Sequence, residues 1–188
     1  MIKILFVCHG NICRSPMAEF VMKDLAAKAG AGEQFVIDSA ATSTEEIGNP
    51  VYPPARRELA AHGIPCTGHA ARQLTRADYD RYDLLIGMDS ANIRNMLRIC
   101  GGDPEGKIHR LLDYTARPGD VADPWYAGDF SATWRDVLEG CTAILHRYTA
   151  CQCSCTVEKH KAKQRQPALP LFRSQGNAIE KFIAVCYT

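Results

Sequence analysis

Cys8 and Arg14 lie six positions apart in the first short loop of the chain, and this spacing suits chemistry on an oxyanion. Cys8 comes directly after the apolar segment 2–7, and Arg14 is followed by Ser15 and Pro16. A loop from a strand into a helix can direct several backbone N–H groups at one point, where the helix N-terminus also favours negative charge. The segment therefore predicts a phosphate-binding loop with Cys8 on its floor.

The residue types in this loop suit nucleophilic attack on phosphorus. The N–H dipoles and the helix end favour the thiolate of Cys8, which is the nucleophilic form of cysteine. Arg14 has a planar fork of donors that can bind two phosphoryl oxygens at once, and the hydroxyl of Ser15 can donate to the Cys8 sulfur. The residues expected to surround a bound phosphate or sulfate are His9, Gly10, Asn11, Ile12, Cys13 and Ser15. The alternative for Cys8 is an ordinary buried cysteine at a strand end.

The stretch Leu5 to Glu19, LFVCHGNICRSPMAE, resembles the signature of the low-molecular-weight protein tyrosine phosphatases. The resemblance rests on the whole string rather than on its cysteine and arginine alone, and it extends over residues 1–150. It implies a four-stranded parallel sheet flanked by helices. It also implies hydrolysis of phosphotyrosine esters through a phosphocysteine intermediate, without metal or cofactor.

The pattern of the chain independently predicts an α/β fold. Apolar, β-branched segments alternate with amphipathic segments, which is typical of a parallel sheet covered by helices on both faces. Strands are predicted at Ile2–Val7, Phe35–Ala40, Asp83–Met88 and Lys107–Leu111, and helices near Pro16–Ala29, Pro54–His62, Ser90–Ile99 and Ser131–Thr149. Gly30 and Gly63 fall where helix C-caps are expected. Since open parallel sheets bind ligands at the carboxyl ends of their strands, Cys8 is at the expected end.

The reaction also needs an acid that protonates the leaving oxygen, which typically contributes ~10² to 10⁴ in rate. Asp123 begins the string Asp-Pro-Trp-Tyr in a long polar loop, and this string is similar to the acid loop of the family. Asp123 is therefore the predicted general acid, although Asp-Pro is also an ordinary turn opener. Its competitors Asp113, Asp120 and Asp129 are predicted to be loop or cap residues.

Two aromatic side chains and one loop residue bear on the substrate. Trp125 and Tyr126 could form the wall of a deep slot for a phosphotyrosine ring, or they could simply pack their loop onto the domain. Relatives that act on phosphoarginine carry Thr where this chain has Ile12. The resemblance therefore favours phosphotyrosine.

Other residues are expected to support the loop. Asn11 is predicted to adopt a left-handed backbone held by its side-chain hydrogen bonds. By resemblance, Ser39 bonds this asparagine, His69 braces the same loop, and Asp89 orients the arginine; as a helix cap, Asp89 would look the same. Neither His69 nor His9 is predicted to be a catalyst.

Two further positions raise questions of regulation and specificity. Cys13 is close enough to Cys8 in sequence to trap an oxidised sulfur as a reversible disulfide, or it could be an inert packing residue. Glu45 stands where many relatives place a tryptophan, and Glu46 follows it. An acidic lip of this kind would disfavour acidic phosphopeptides.

Composition limits the classes of protein to consider. The 188 residues are 46% hydrophobic with a net charge of +1, which fits one globular domain with its own core and gives no electrostatic footprint for nucleic acid. No apolar segment approaches the ~20 residues of a membrane span. The start at Met1 leaves no room for a signal peptide, and the cysteine spacing is unlike a secreted scaffold. A cytoplasmic monomer with reduced thiols is expected.

The C-terminal segment differs from the rest. Residues 1–150 have a net charge of −3 (16 Lys and Arg against 19 Asp and Glu), whereas residues 151–188 have +4 (6 against 2) and four of the nine cysteines. Relatives end shortly after the last predicted helix. We therefore predict a phosphatase domain at 1–150 and a poorly ordered basic extension at 151–188.

Four other functions fit parts of the pattern. A protein-arginine phosphatase would share the whole scaffold. A phosphocysteine carrier needs no Arg14 or Asp123, and an arsenate reductase needs a relay pair of cysteines, for which Cys66 and Cys100 are widely separated. A binding-only pseudophosphatase is disfavoured because no catalytic position is missing.

Overall fold

Four parallel strands form the central sheet of the computed structural model, which describes residues 1–163. They are β1 (Ile2–Cys8), β2 (Phe35–Ala41), β3 (Leu84–Gly87) and β4 (Ile108–Arg110), in the order β2-β1-β3-β4. All neighbouring strands are parallel. The predicted sheet is confirmed, with β3 and β4 each one residue shorter at both ends than the sequence pattern indicates.

Six α-helices surround the sheet within the described residues. They are α1 (Arg14–Lys28), α2 (Pro53–Ala61), α3 (Arg76–Arg81), α4 (Ser90–Cys100), α5 (Pro124–Ala127) and α6 (Phe130–Lys163). Two 3₁₀ turns lie at Gly32–Gln34 and Leu111–Tyr114. None of the helices at 1–163 is both long and apolar enough to cross a membrane.

Two short helices, α3 and α5, are missing from the sequence prediction because neither is long enough to show a helical period. The sequence nevertheless has a local signal for the start of α3, since Thr75 and Asp78 are spaced as in a capping box. In the structure the N–H of Thr75 donates to the carboxylate of Asp78 at 2.8 Å. Helix α6 continues to Lys163, beyond its predicted end at Thr149.

The chain divides near the predicted domain boundary, with Met1–Cys153 forming one unit. The prediction of a poorly ordered extension falls largely on residues 164–188, which lie outside the described residues. The division at residue 150 therefore stays a prediction.

Both faces of β1 are buried, which explains its continuous apolar sequence. Ile4 and Phe6 belong to a core with residues of α1, α2 and α6, whereas Leu5 and Val7 belong to a second core with residues of α3 and α4. The sheet is thus the middle of three layers. On α1, Met17 and Val21 are buried in the first of these cores, and Phe20 and Leu25 are half-buried against it.

The strand order places a crevice between β1 and β3. The chain passes from β1 to β2 on one side and then returns past β1 to β3 on the other, and such a reversal opens a ligand site at the carboxyl ends of the strands. Cys8 ends β1 at this edge, and Asp89 follows β3 there. The predicted caps are also found, since Gly30 and Gly63 have φ of 66° and 74°.

Candidate active site

Residues 8–15 are called the phosphate loop below. They comprise the last residue of β1, the connecting loop, and the first two residues of α1. The Cys8 residue is 3% exposed, and its Sγ lies 3.0 Å from the hydroxyl oxygen of Ser15. The backbone N–H of Asn11 also donates to this sulfur, with an N···S distance of 3.3 Å. The N–H of Asn11 favours negative charge on this sulfur, and the Ser15 hydroxyl does the same when it is the donor of its contact.

Asn11 holds the phosphate loop in its unusual conformation. Its φ is 59°, the only positive value for a non-glycine residue among those described, which confirms the predicted left-handed backbone. Its side-chain amide donates to the hydroxyls of Ser15 (3.0 Å) and Ser39 (2.8 Å), and its side-chain oxygen accepts the N–H of Arg72 (3.1 Å). The carbonyl oxygen of Asn11 accepts from Nε2 of His69 at 2.8 Å, so this ring nitrogen carries a hydrogen. These bonds offset the backbone strain.

A buried carboxylate extends this support and was missed at the sequence level. Glu19 is 8% exposed, and it accepts the hydroxyl of Ser39 at 2.5 Å and the ammonium of Lys23 at 2.5 Å. Nδ1 of His69 lies 3.9 Å from the same carboxylate. A charged residue at a position of α1 that faces the core was the available signal. Glu19 thus holds the predicted support Ser39 through a hydrogen bond and lies near the other predicted support, His69.

Gly10 packs closely against the side chain of Glu46. A Cβ at this position would lie 3.1 Å from Cγ of Glu46. A larger residue would therefore require the Glu46 side chain to shift by a few tenths of an ångström.

Arg14 is buried at 4% exposure and joins two carboxylates. Its two terminal nitrogens lie 2.6 Å from Asp89 and 2.7 Å from Asp123. Burial disfavours charge on the guanidinium, but the negative charges of Cys8, Asp123 and Asp89 raise the pKa of Arg14 nonetheless. Asp89 also caps α4 by accepting the N–H of Asn92 at 2.6 Å, so both roles considered for it are present at once.

Asp123 ends the segment 115–123, called the acid loop below, and caps α5. One carboxylate oxygen accepts the N–H of Trp125 at 3.0 Å while the other faces Arg14. The competing carboxylates have other partners: Asp113 and Asp120 pair with Arg110, and Asp129 caps α6 by accepting the N–H of Ala132.

These side chains meet in a pocket of about 290 Å³. Its lining consists of Cys8, His9, Gly10, Ile12, Cys13, Arg14, Glu45, Glu46, Asp123 and Trp125. Trp125 is 56% exposed, and its ring centroid lies 5.4 Å from that of Tyr52. Asn11 and Ser15 belong to the phosphate loop but do not line the pocket, and both are fully buried. The side chain of Tyr126 lies outside the described residues, so its predicted contact with substrate stays a prediction.

The rim of the pocket is acidic and tied to the phosphate loop. Nε2 of His9 lies 2.9 Å from the carboxylate of Glu45, and this hydrogen bond and the charge of His9 lower the pKa of Glu45. Glu46 accepts the side-chain N–H of Asn49 at 2.6 Å. Glu45 therefore stays ionised at neutral pH.

The second thiol of the pocket differs from the first. Burial, together with the nearby charges of Cys8 and Asp123, raises the pKa of Cys13 to about 12, so Cys13 remains a thiol. Cys66 and Cys100 do not line this pocket. Among residues 1–163 as described, no group of three His, Cys, Asp or Glu side chains is placed to hold a metal ion.

A thiol under an arginine-closed phosphate loop, with a carboxylic acid on the facing loop, defines the class of cysteine-based phosphatases. The chain belongs to the low molecular weight phosphotyrosine protein phosphatase family, whose model matches residues 3–160.

Comparison with individual proteins agrees with this family. The chain is 42% identical over 147 residues to the low molecular weight protein-tyrosine-phosphatase YfkJ of Bacillus subtilis, covering 77% of this chain and 94% of that one. The crystal structure of YfkJ superposes with a TM-score of 0.77, covering 80% and 96% of the two chains at 40% identity. The human low molecular weight phosphotyrosine protein phosphatase is 37% identical over 153 residues, which are 77% of this chain and 94% of that one. The structure of a Drosophila arginine phosphatase is also similar, with a TM-score of 0.72 and 28% identity over 78% and 98% of the chains.

Proposed function

We propose that this protein hydrolyses phosphotyrosine esters of proteins through a phosphocysteine intermediate. The observation that carries the proposal is the meeting of Cys8, Arg14 and Asp123 in one pocket, with the guanidinium of Arg14 in contact with Asp123. Membership of the phosphotyrosine phosphatase family supports the same reaction.

In the first step the thiolate of Cys8 attacks phosphorus, and an S–P bond forms as the bond from phosphorus to the tyrosine oxygen breaks. Arg14 binds two phosphoryl oxygens in its planar fork and stabilises the charge that develops on them. Asp123, in its acid form, donates a proton to the departing phenolate oxygen. The products of this step are the dephosphorylated tyrosine side chain of the substrate protein and phosphocysteine.

In the second step a water molecule attacks the phosphocysteine and releases inorganic phosphate. The carboxylate of Asp123 takes a proton from this water, which restores its acid form. Cys8 leaves as a thiolate, and the Ser15 hydroxyl at 3.0 Å can donate to that thiolate and make it a better leaving group. No metal or cofactor enters either step.

The walls of the pocket suit a phenyl ring better than a short side chain. Trp125 offers an exposed indole face at the mouth, and a phosphotyrosine ring can pack against it while its phosphate reaches Cys8. Phosphoserine is too short to use this wall.

A protein-arginine phosphatase is the second candidate, since the Drosophila arginine phosphatase has a similar structure. Ile12 disfavours phosphoarginine as the substrate. Its side chain lines the pocket and packs in an apolar cluster with Cys13 and Ala71, so it offers no hydroxyl to a phosphoarginine group.

The test is hydrolysis of one peptide sequence carrying phosphotyrosine, phosphoarginine or phosphoserine, in the presence of a metal chelator. We expect turnover of the phosphotyrosine peptide and its loss in Cys8→Ser. The matched control is Cys66→Ser, which removes a half-buried thiol outside the pocket and should retain activity. Full turnover by Cys8→Ser, or faster hydrolysis of phosphoarginine than of phosphotyrosine, would contradict the proposal.

We also propose that the protein works in the cytoplasm as a monomer. A reducing compartment is required because the mechanism needs Cys8 as a free thiol, and the five cysteines of residues 1–149 are all unpaired. Fractionation of cells and light scattering of the purified protein test these two points.

A further inference from the structure

The residue that precedes the proposed acid is held from both sides by helix α6. The N–H of Ala122 donates to the carboxylate of Asp136 at 3.0 Å, and the carbonyl oxygen of Ala122 accepts the hydroxyl of Thr133 at 2.9 Å. Because these two groups belong to the peptide units on either side of the Ala122 Cα, the bonds fix both of its backbone torsions. The direction in which the chain enters Asp123 is fixed with them.

The Thr133 hydroxyl makes its shorter hydrogen bond to the acid loop rather than to the first turn of its own helix. Thr133 is fully buried, and its hydroxyl oxygen lies 3.5 Å from the carbonyl oxygen of Asp129, one turn earlier in the chain, against 2.9 Å from that of Ala122. Threonines inside helices commonly donate to the carbonyl four residues earlier, as Thr142 does to Leu138 at 2.7 Å. Thr133 instead makes its shorter hydrogen bond to Ala122, at one of the points where α6 contacts the acid loop.

Other residues of the acid loop contact the segment after β3 and helix α6. The N–H of Val121 donates to the carbonyl oxygen of Met88 at 2.8 Å, and the Val121 side chain is 2% exposed. Farther from the acid, Arg117 pairs with Asp136 at 2.7 Å and with Glu139 at 2.7 Å. Arg117 is an exposed ion-pair partner, whereas Thr133 and Asp136 act directly on the backbone beside the acid.

We propose that Thr133 and Asp136 are positioning residues for general-acid catalysis, through their grip on the Ala122 backbone. The inference rests on the proposed function, because it takes Asp123 as the acid. Proton donation needs the carboxyl within hydrogen-bond reach of the leaving oxygen, and a misplacement of about 1 Å can cost ~10²-fold in rate. A rotation about Ala122 would displace Asp123 while leaving Cys8 and Arg14 in place.

Variants of the chain separate this role from a general effect on folding. Thr133→Val removes the hydroxyl at nearly constant volume, and Thr142→Val is its matched control because that hydroxyl bonds only within α6. Asp136→Ala removes the acceptor of the Ala122 N–H, whereas Asp136→Asn retains an acceptor oxygen and loses the charge facing Arg117. Arg117→Gln removes only the ion pairs. Melting temperatures identify any variant that is simply unfolded.

The measurement is kcat/KM for phenyl phosphate and for p-nitrophenyl phosphate, whose better leaving group needs the acid less. We expect Thr133→Val and Asp136→Ala to lower kcat/KM about 10-fold on phenyl phosphate and less than about 2-fold on p-nitrophenyl phosphate. Thr142→Val, Arg117→Gln and Asp136→Asn should stay within about 2-fold of wild type on both substrates.

The deciding experiment repeats Thr133→Val and Asp136→Ala in an Asp123→Ala background. If they act by positioning the acid, they should have no further effect once the acid is removed. Equal losses on both substrates, or losses that add to that of Asp123→Ala, would overturn the inference. If Asp123→Ala itself behaves like wild type on phenyl phosphate, the assignment of Asp123 as the acid fails instead, and the inference fails with it, whereas the loss of turnover in Cys8→Ser still tests the proposed hydrolysis.

Discussion

The phosphate loop and the acid loop meet in one pocket but are held in different ways. In the phosphate loop Asn11 and Ser15 are fully buried and Arg14 is 4% exposed, and the side-chain amide of Asn11 donates to the buried hydroxyls of Ser15 and Ser39. In the acid loop the Asp123 side chain is 34% exposed and Trp125 is 56% exposed. The acid loop is held by two hydrogen bonds from α6, by one to Met88, by two from Ser90 to Asp120, and by surface ion pairs.

This difference assigns the two loops different contributions to catalysis. Buried hydrogen bonds are strong, and losing one partner leaves a costly unpaired group, whereas exposed ion pairs contribute little. The phosphate loop is therefore preorganised for every phosphoryl substrate. The acid loop affects mainly those substrates whose leaving group needs a proton.

The largest expected effect tests this division at the acid itself. Asp123→Ala should lower kcat/KM for phenyl phosphate by about 10² to 10³ and for p-nitrophenyl phosphate by about 10-fold or less, because only the poorer leaving group depends strongly on protonation. Asp129→Ala is the control, since that carboxylate does not line the catalytic pocket. Equal losses on both substrates would remove the distinction between the loops.

The next effect tests the buried support of the phosphate loop. Ser39→Ala takes a hydrogen-bond partner from both Asn11 and Glu19, and it should lower the free energy of unfolding by about 1–3 kcal/mol. Activity should fall by the same factor on phenyl and p-nitrophenyl phosphate. Urea unfolding and steady-state kinetics measure these, with exposed Ser131→Ala as the control. A loss confined to phenyl phosphate would contradict the comparison.

A third prediction concerns the two thiols within the phosphate loop. Because the pKa of Cys13 is about 12, Cys13 remains a thiol at neutral pH and peroxide should oxidise Cys8 first. The sulfenic acid of Cys8 can then condense with the Cys13 thiol, giving a disulfide and water. After oxidation by peroxide, treatment with dithiothreitol should restore at most about half as much activity in Cys13→Ser as in wild type. Cys66→Ser is the control, and equal recovery of Cys13→Ser would exclude the protective role.

The smallest effect is expected at the acidic rim of the pocket, which is formed by Glu45 and Glu46. Glu45→Gln should raise kcat/KM about 2- to 5-fold for a phosphotyrosine peptide with Asp and Glu beside the tyrosine, relative to one with neutral neighbours. The gain should shrink in high salt because the rim is exposed. Glu33→Gln, an exposed change elsewhere, is the control, and an unchanged peptide ratio would remove Glu45 from substrate selection.

Much of the fold was predictable because its signals are local. Apolar strands alternate with amphipathic helices, and the predicted strands agree with the structure to within one residue at each end. The short helices α3 and α5 were not predicted because four to six residues carry no clear period. The sequence pattern also predicts an end of α6 near Thr149, whereas the helix continues to Lys163.

The sequence by itself determined the phosphate loop, because Cys8, Arg14 and the turn between them are contiguous and need only a strand before them and a helix after. Only the tertiary structure decided how Asp123 and Asp89 pair with the two terminal nitrogens of Arg14, that Glu19 bonds Ser39, and that α6 bonds the backbone of Ala122. These contacts join segments far apart in the chain. They depend on how the helices pack around the sheet, which no local pattern of residues records.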